Sequence, residues 1–174
     1  MRYILLSIAV FVITCSVRSR SQDNMVHVAY AMTEKHTMGL LASAVSLVVN
    51  SDFPEKIFIH VFVLKEELIG LKLRRNAKAK MLRAWLTKMG AKQKYHSFTL
   101  DEVGQHINFN LEEDKSRLRL PANYARYIIA DKLHDVIRCL YLDTDTIVLK
   151  DIVPFMRERR SEKVISAFPR IGHT

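Results

Sequence analysis

Two hydrophobic rhythms alternate along the chain. The stretch "KIFIHVFVL" (56–64) is a near-continuous apolar run rich in β-branched and aromatic residues, the pattern of a strand buried on both faces. "MVHVAYAM" (25–32), "KYHSFTL" (94–100) and "VISAFP" (164–169) read as further strands. Between them lie helical patterns. "TMGLLASAVSLVVNS" (37–51) predicts a buried helix that ends at a turn of Asp52, Phe53 and Pro54. Residues 65–90 are helical and basic, with Ala77, Met81, Ala84, Trp85 and Met89 at helical spacing as an apolar face. Residues 101–115 read as a polar loop with a short helix. "LPANYARYIIADKLH" (120–134) reads as a helix with Pro121 in its first turn, and "PFMRERRSEK" (154–163) as a short basic helix. Strands alternating with helices predict βαβ units and a mostly parallel sheet flanked by helices. There is no internal repeat, low-complexity tract or domain-scale linker.

One strand breaks the pattern. "RCLYLDTDTIVLKDI" (138–152) runs apolar, carries Asp143 and Asp145, then turns apolar again. A carboxylate in a core strand is costly unless its charge is compensated. Residues i and i+2 of a strand face the same way, about 7 Å apart, so the pair can converge on one cation. Mg²⁺ and Mn²⁺ take hard oxygen ligands and share them with substrate phosphates. The plainer alternative is a turn after the strand, with the carboxylates bonded to backbone N–H groups. In open parallel sheets ligands bind outside the carboxyl ends of the strands, where this pair falls.

Composition adds three points. The 174 residues are 49% hydrophobic, which excludes a disordered tail and allows one domain with a real core. A net charge of +9 points to an anionic partner without choosing among nucleic acid, membrane and phosphorylated small molecules. Cys15 and Cys139 form neither a metal cluster nor a disulfide framework, and no Asn-x-Ser/Thr sequon occurs. "MRYILLSIAVFVITCSVRSRSQ" (1–22) carries a short apolar run between arginines. It fits a signal-peptide core, with a signal anchor or a buried helix as alternatives, and divides the chain into a leader at 1–22 and a domain at 23–174. Membrane association through that segment is therefore expected. The basic helix reads as a solvated face rather than a nucleic-acid patch, with anionic membrane contact between the two. His27, His60, His96 and His106 read as scattered strand or loop residues, and Tyr124 and Tyr127 as core.

The combined pattern resembles the nucleotide-sugar glycosyltransferases of family 8, the glycogenin and galacturonosyltransferase-like group. The resemblance is carried by Asn123-Tyr124-Ala125-Arg126 followed by Tyr141-Leu142-Asp143-Thr144-Asp145, by "VHVAYAMTEKHTMGLLASAVSLV" with Gly39 and Ser46 in place, and by "VISAF". It spans about residues 26–168. It implies a GT-A fold, Rossmann-like, with Mn²⁺ or Mg²⁺ on Asp143 and Asp145 and a UDP-sugar held through that metal. Asp143 and Thr144 would lie at the nucleotide sugar, Arg126 would face its phosphates or sugar, and Ala31, Thr33 and His36 would hold the uridine. Thr33 stands where the family has Asp, and His36 where it has Tyr. The family's sugar-binding half, with its later metal and phosphate motif, is expected beyond Thr174, so the domain reads as truncated. The resemblance implies retaining transfer to a glycan or protein acceptor in the Golgi, by a luminal or type II protein. Two other readings stay open. One is a haloacid-dehalogenase-like phosphatase with Asp143 as nucleophile and Asp145 as acid/base. The other is a nucleotide-binding remnant without turnover.

Overall fold

The computed structural model describes residues 10–14, 24–69, 76–106, 121–158 and 165–167. Six strands form one sheet: β1 (Val10–Thr14), β2 (Val26–Ala31), β3 (Ile57–Leu64), β4 (Lys92–Phe98), β5 (Arg138–Leu142) and β6 (Ile165–Ala167), in the order β4-β3-β2-β5-β1-β6. The strands from β4 to β5 are parallel, with Ala29 opposite His60 on one side and opposite Tyr141 on the other. β1 runs antiparallel to both β5 and β6. The chain winds outward from β2 to β4, then returns to the far side of β2 as β5. That reversal opens a crevice at the carboxyl ends of β2 and β5. This is the α/β architecture expected from the pattern, and it is GT-A-like, as the resemblance implied.

Among the described residues there are six α-helices, in chain order α1 (Thr37–Val49), α2 (Lys65–Ile69), α3 (Ala77–Lys88), α4 (Leu100–Gly104), α5 (Ile129–Lys132) and α6 (Val153–Glu158), with a 3₁₀ helix at Pro121–Tyr127. α1 and α3 cover one face of the sheet. Leu40, Ala44 and Leu47 of α1 and Ala79, Leu82 and Leu86 of α3 share a core with Val28, Tyr30, Ile59, Val61 and Leu140. The other face buries Ala29, Phe62, Cys139 and Tyr141 beneath Val103, Ala125, Ile128 and Ile129. Strand residues alternate between these faces, so the central strands are mostly apolar on both, with His27 and His60 as buried polar exceptions.

Several expectations change. The predicted helix at 120–134 is a 3₁₀ segment followed by the short α5, and Tyr127, expected in the core, is 48% exposed. The strand predicted over 138–152 ends at Leu142. The basic segment is not one helix: α2 covers Lys65–Ile69, and a new helix, α3, starts at Ala77 behind the N-cap Asn76, whose extended backbone breaks the run and whose side chain accepts from Lys78 N–H and Ala79 N–H. The apolar face predicted for α3 is also rotated. Ala79, Leu82 and Leu86 face the core, Trp85 is half-buried, and Met81 is 60% exposed. A helix this rich in alanine and methionine offers two apolar rows, and packing took the row with leucines. Part of the expected leader is the strand β1; Cys15 and the other residues of 1–22 lie outside the described residues, as do 107–115 and 159–163. Among the described residues no helix is long and apolar enough to cross a membrane.

Candidate functional site

The chain leaves β5 at Leu142 and turns at once. Thr146 N–H donates to the Asp143 carbonyl at 3.1 Å, so Asp143, Thr144 and Asp145 lie on a turn rather than along a strand. This corrects the strand geometry expected for the pair; the turn was the alternative. Asp143 and Thr144 are half-buried and Asp145 is exposed. The turn is seated on α1. A Cβ at Gly39 would stand 2.5 Å from the Thr144 carbonyl oxygen, a contact only glycine permits. Further along, Val148 N–H donates to Ser46 Oγ at 2.9 Å, and Asn50 Nδ2 donates to the Val148 carbonyl at 3.0 Å. Ile147 and Leu149 do not continue a strand; both are exposed.

Below the turn lies a polar relay. Tyr141 is buried, and its hydroxyl is coupled electrostatically to the Asp143 carboxylate on one side and the Arg126 guanidinium on the other. The Arg126 guanidinium also lies 5.4 Å from the centroid of the Tyr141 ring, within cation–π reach. Burial raises the Tyr141 pKa, and the neighbouring Asp143 charge raises it further. Asp143 is raised as well, first by burial; Asp145 adds to this, while Tyr141 and Arg126 oppose it. Two carboxylates that repel each other at a partly desolvated turn are a place where a cation relieves strain. The donor set, hard oxygens from two neighbouring carboxylates, is of the kind Mg²⁺ or Mn²⁺ takes. Among the described residues no group of three or more His, Cys, Asp or Glu could hold a metal ion.

The neighbouring strand ends in a tight loop. Ala31 and Thr33 are buried, and Thr33 faces His36, with Oγ1 to Nδ1 at 3.2 Å. Glu34 N–H donates to Glu67 Oε2 at 2.9 Å, and Thr37 Oγ1 donates to the Glu34 carbonyl at 2.6 Å. Ala29 pairs with Tyr141, two residues before Ala31 and Asp143 on the two strands. The structure therefore sets Ala31, Thr33 and His36 at one lip of the crevice and Asp143, Thr144 and Asp145 at the other, with Arg126 reaching Asp143 through Tyr141. Sequence reading missed Tyr141 and Glu67. Tyr141 could have been found, since period 2 puts it on the same face as Asp143. Glu67 carries no signal of its own; the turn of α2 after β3 brings its carboxylate to the loop.

The model of the family described as Glycosyl transferase family 8 matches residues 27–170. Among curated proteins the chain is similar to Probable galacturonosyltransferase-like 7 of Arabidopsis thaliana, at 29% identity over 83% of this chain and 36% of that protein. Probable galacturonosyltransferase-like 6 and 5 of the same plant are 27% and 28% identical, again over 83% of this chain, and over 38% and 37% of their own length. The chain thus spans little more than a third of the length of the curated relatives it matches.

Proposed function

The chain belongs to glycosyl transferase family 8, and from that premise we propose that its crevice binds the nucleotide diphosphate of a UDP-sugar as the donor half of a glycosyltransferase site. Family membership sets the phosphatase reading aside. One observation carries the proposal: a half-buried carboxylate turn at the end of β5, seated on Gly39 and wired through Tyr141 to Arg126, beside the loop that ends β2.

Each residue then has a role. Asp143 and Asp145 hold a divalent cation, Mn²⁺ or Mg²⁺. When bound, that cation supplies positive charge for the leaving diphosphate. Thr144 lies between the two ligands and faces the nucleotide sugar. Arg126 supplies fixed positive charge on the diphosphate side and, through Tyr141, orients the Asp143 carboxylate. Ala31, Thr33 and His36 form the uridine side. Thr33 offers a hydroxyl where a carboxylate would accept more strongly, and the His36 ring offers a stacking face for the base. The acceptor is a glycan or protein. The work belongs to the secretory pathway, most simply the Golgi lumen, with residues 1–22 as the route of entry.

The test is calorimetric titration of UDP with and without Mn²⁺, on the wild type and on Asp145→Asn. Binding at least about tenfold tighter with Mn²⁺, equivalent to about 1.4 kcal/mol, and lost in the variant, supports the proposal. Affinity indifferent to both metal and mutation overturns the metal site. Hydrolysis or transfer of a UDP-sugar by the purified chain separates a transferase from a nucleotide-binding protein without turnover.

A further inference from the structure

α3 uses only one of its two apolar rows to fold. Ala79, Leu82 and Leu86 face the core, while Lys80, Met81, Ala84 and Lys88 lie on the exposed side, with Met81 60% exposed. Along α3 and β4 the charge is of one sign, while the Phe53 turn carries exposed Asp52 and Glu55. Residues 76–98 hold six cations, Lys78, Lys80, Arg83, Lys88, Lys92 and Lys94, and no Asp or Glu. β4, which carries Lys92 and Lys94, is an edge strand of the sheet. The patch continues past the helix. Met89 is exposed, and the Cβ position of Gly90 lies 3.4 Å from Glu55, so the end of α3 abuts the turn before β3. On that turn Phe53 is exposed, with Lys56 Nζ 4.1 Å from its ring centroid, and Glu55 sits at the rim.

We propose that this surface, the outward row of α3 with Met89 and the Phe53 turn, docks on an anionic membrane. Three features favour a lipid surface over another polyanion. Methionines and a phenylalanine alternate with lysines, so apolar area and positive charge lie in one patch, the combination of interfacial helices. Ala77 and Ala84 are small and exposed, which lets the helix approach a flat surface while lysine stems lie alongside and their ammonium groups reach headgroups. For nucleic acid the outward row of α3 offers no stacking aromatic, because Trp85 is half-buried against the core, and Phe53 alone is one platform rather than the series that stacks successive bases. The geometry is also permissive. The Phe53 turn leads into β3 and Gly90 into β4, at the amino ends of the strands, whereas the carboxylate turn lies at the carboxyl end of β5. A protein docked there keeps its crevice open. The inference stands independently of the nucleotide reading and of the Golgi-lumen placement, because anionic lipid is concentrated on the cytoplasmic leaflet and the patch responds to anionic lipid on whichever side the chain lies.

The test is flotation of the full chain with vesicles of phosphatidylcholine alone and of phosphatidylcholine with phosphatidylserine. Capture by phosphatidylcholine alone measures any apolar contribution from residues 1–22; the gain on adding phosphatidylserine measures the patch. That gain is expected to fall about fivefold for each of Lys80→Gln and Lys88→Gln, the worth of one lysine near a charged surface. It is also expected to fall in Met81→Gln, which leaves the charge unchanged. All three positions are exposed, so circular dichroism should report an unchanged fold. No gain with phosphatidylserine overturns the proposal. A gain that falls in the lysine variants and is untouched in Met81→Gln, with matching loss of heparin binding, also overturns it, in favour of a general polyanion surface.

Discussion

Gly39 shows how much of the site rests on single atoms. Its backbone is so close to the Thr144 carbonyl that an alanine Cβ would need the turn to move, because 2.5 Å lies far inside van der Waals contact. Overpacking of this kind costs about 1–3 kcal/mol. Gly39→Ala is therefore expected to lower the urea midpoint and to weaken Mn²⁺-dependent UDP binding, since Thr144 lies between the two aspartates. Gly90→Ala is the control. Gly90 has φ +83°, so alanine there is strained and destabilising too, but it is remote from the turn and nucleotide affinity should hold. Weakened binding in both variants would mean that general stability, not the seat of the turn, sets affinity. Gly39 and Ser46 were legible as parts of a family pattern. Their reason was not, because it lies in contacts about a hundred residues away, with Thr144 and Val148.

The histidines of β2, β3 and β4 carry the lesson to the scale of elements. His27, His60 and His96 read as scattered, yet parallel register lines them up across the sheet. His27 Nδ1 lies 2.9 Å from His60 Nε2, and His60 Nδ1 lies 2.9 Å from His96 Nε2. Period 2 gives the face each one takes within its strand; the register between strands is written in no single strand. Because His60 uses both nitrogens, a neutral chain must hold one tautomer throughout, all Nδ1–H or all Nε2–H. Burial lowers the His60 pKa to about 3, with the charges of His27, His96 and Lys94 adding to it, and lowers His96 to about 4, with Lys94 and Lys132 adding. Lys132 is itself paired with Glu102, and Cys139 lies opposite His27 in register. The unfolded chain, with histidines at about 6.5, binds more protons than the folded one between about pH 4 and 6.5. Stability is therefore full above that window and falls as pH drops through it, by up to about 2.7 kcal/mol per unit for two protons. Urea midpoints are expected to be flat above about pH 7 and to decline toward about pH 5. His60→Phe should be less stable at neutral pH, having orphaned two buried ring nitrogens, with a shallower acid decline. An equal acid decline in wild type and variant would remove the histidine chain as its cause.

At the scale of the whole molecule, the βαβ winding was legible because strands buried on both faces announce themselves as near-continuous apolar runs. The place of the first apolar segment was not, because a short run suits a leader core and a strand equally well. In the structure β1 pairs with β5 from Val10 opposite Leu142 to Thr14 opposite Arg138, and with β6 on its other edge. It thus joins β6 to the parallel core and lies against the strand that ends at Asp143. N–H groups of alternate β5 residues point to opposite edges, one set toward β2 and the other toward β1. A chain beginning at residue 23 is expected to leave the second set open to water. Its amides in 138–142 should then split by hydrogen exchange, with those facing β2 protected and those facing β1 exchanging fast, and its thermal midpoint should fall. The full chain should protect both sets. If the shortened chain protects both sets equally well and melts at the same temperature, β1 contributes nothing to the sheet, and residues 1–22 act only as a leader. If the split appears, the same segment serves the fold once it stays attached, and its removal would loosen the strand that carries the candidate metal site.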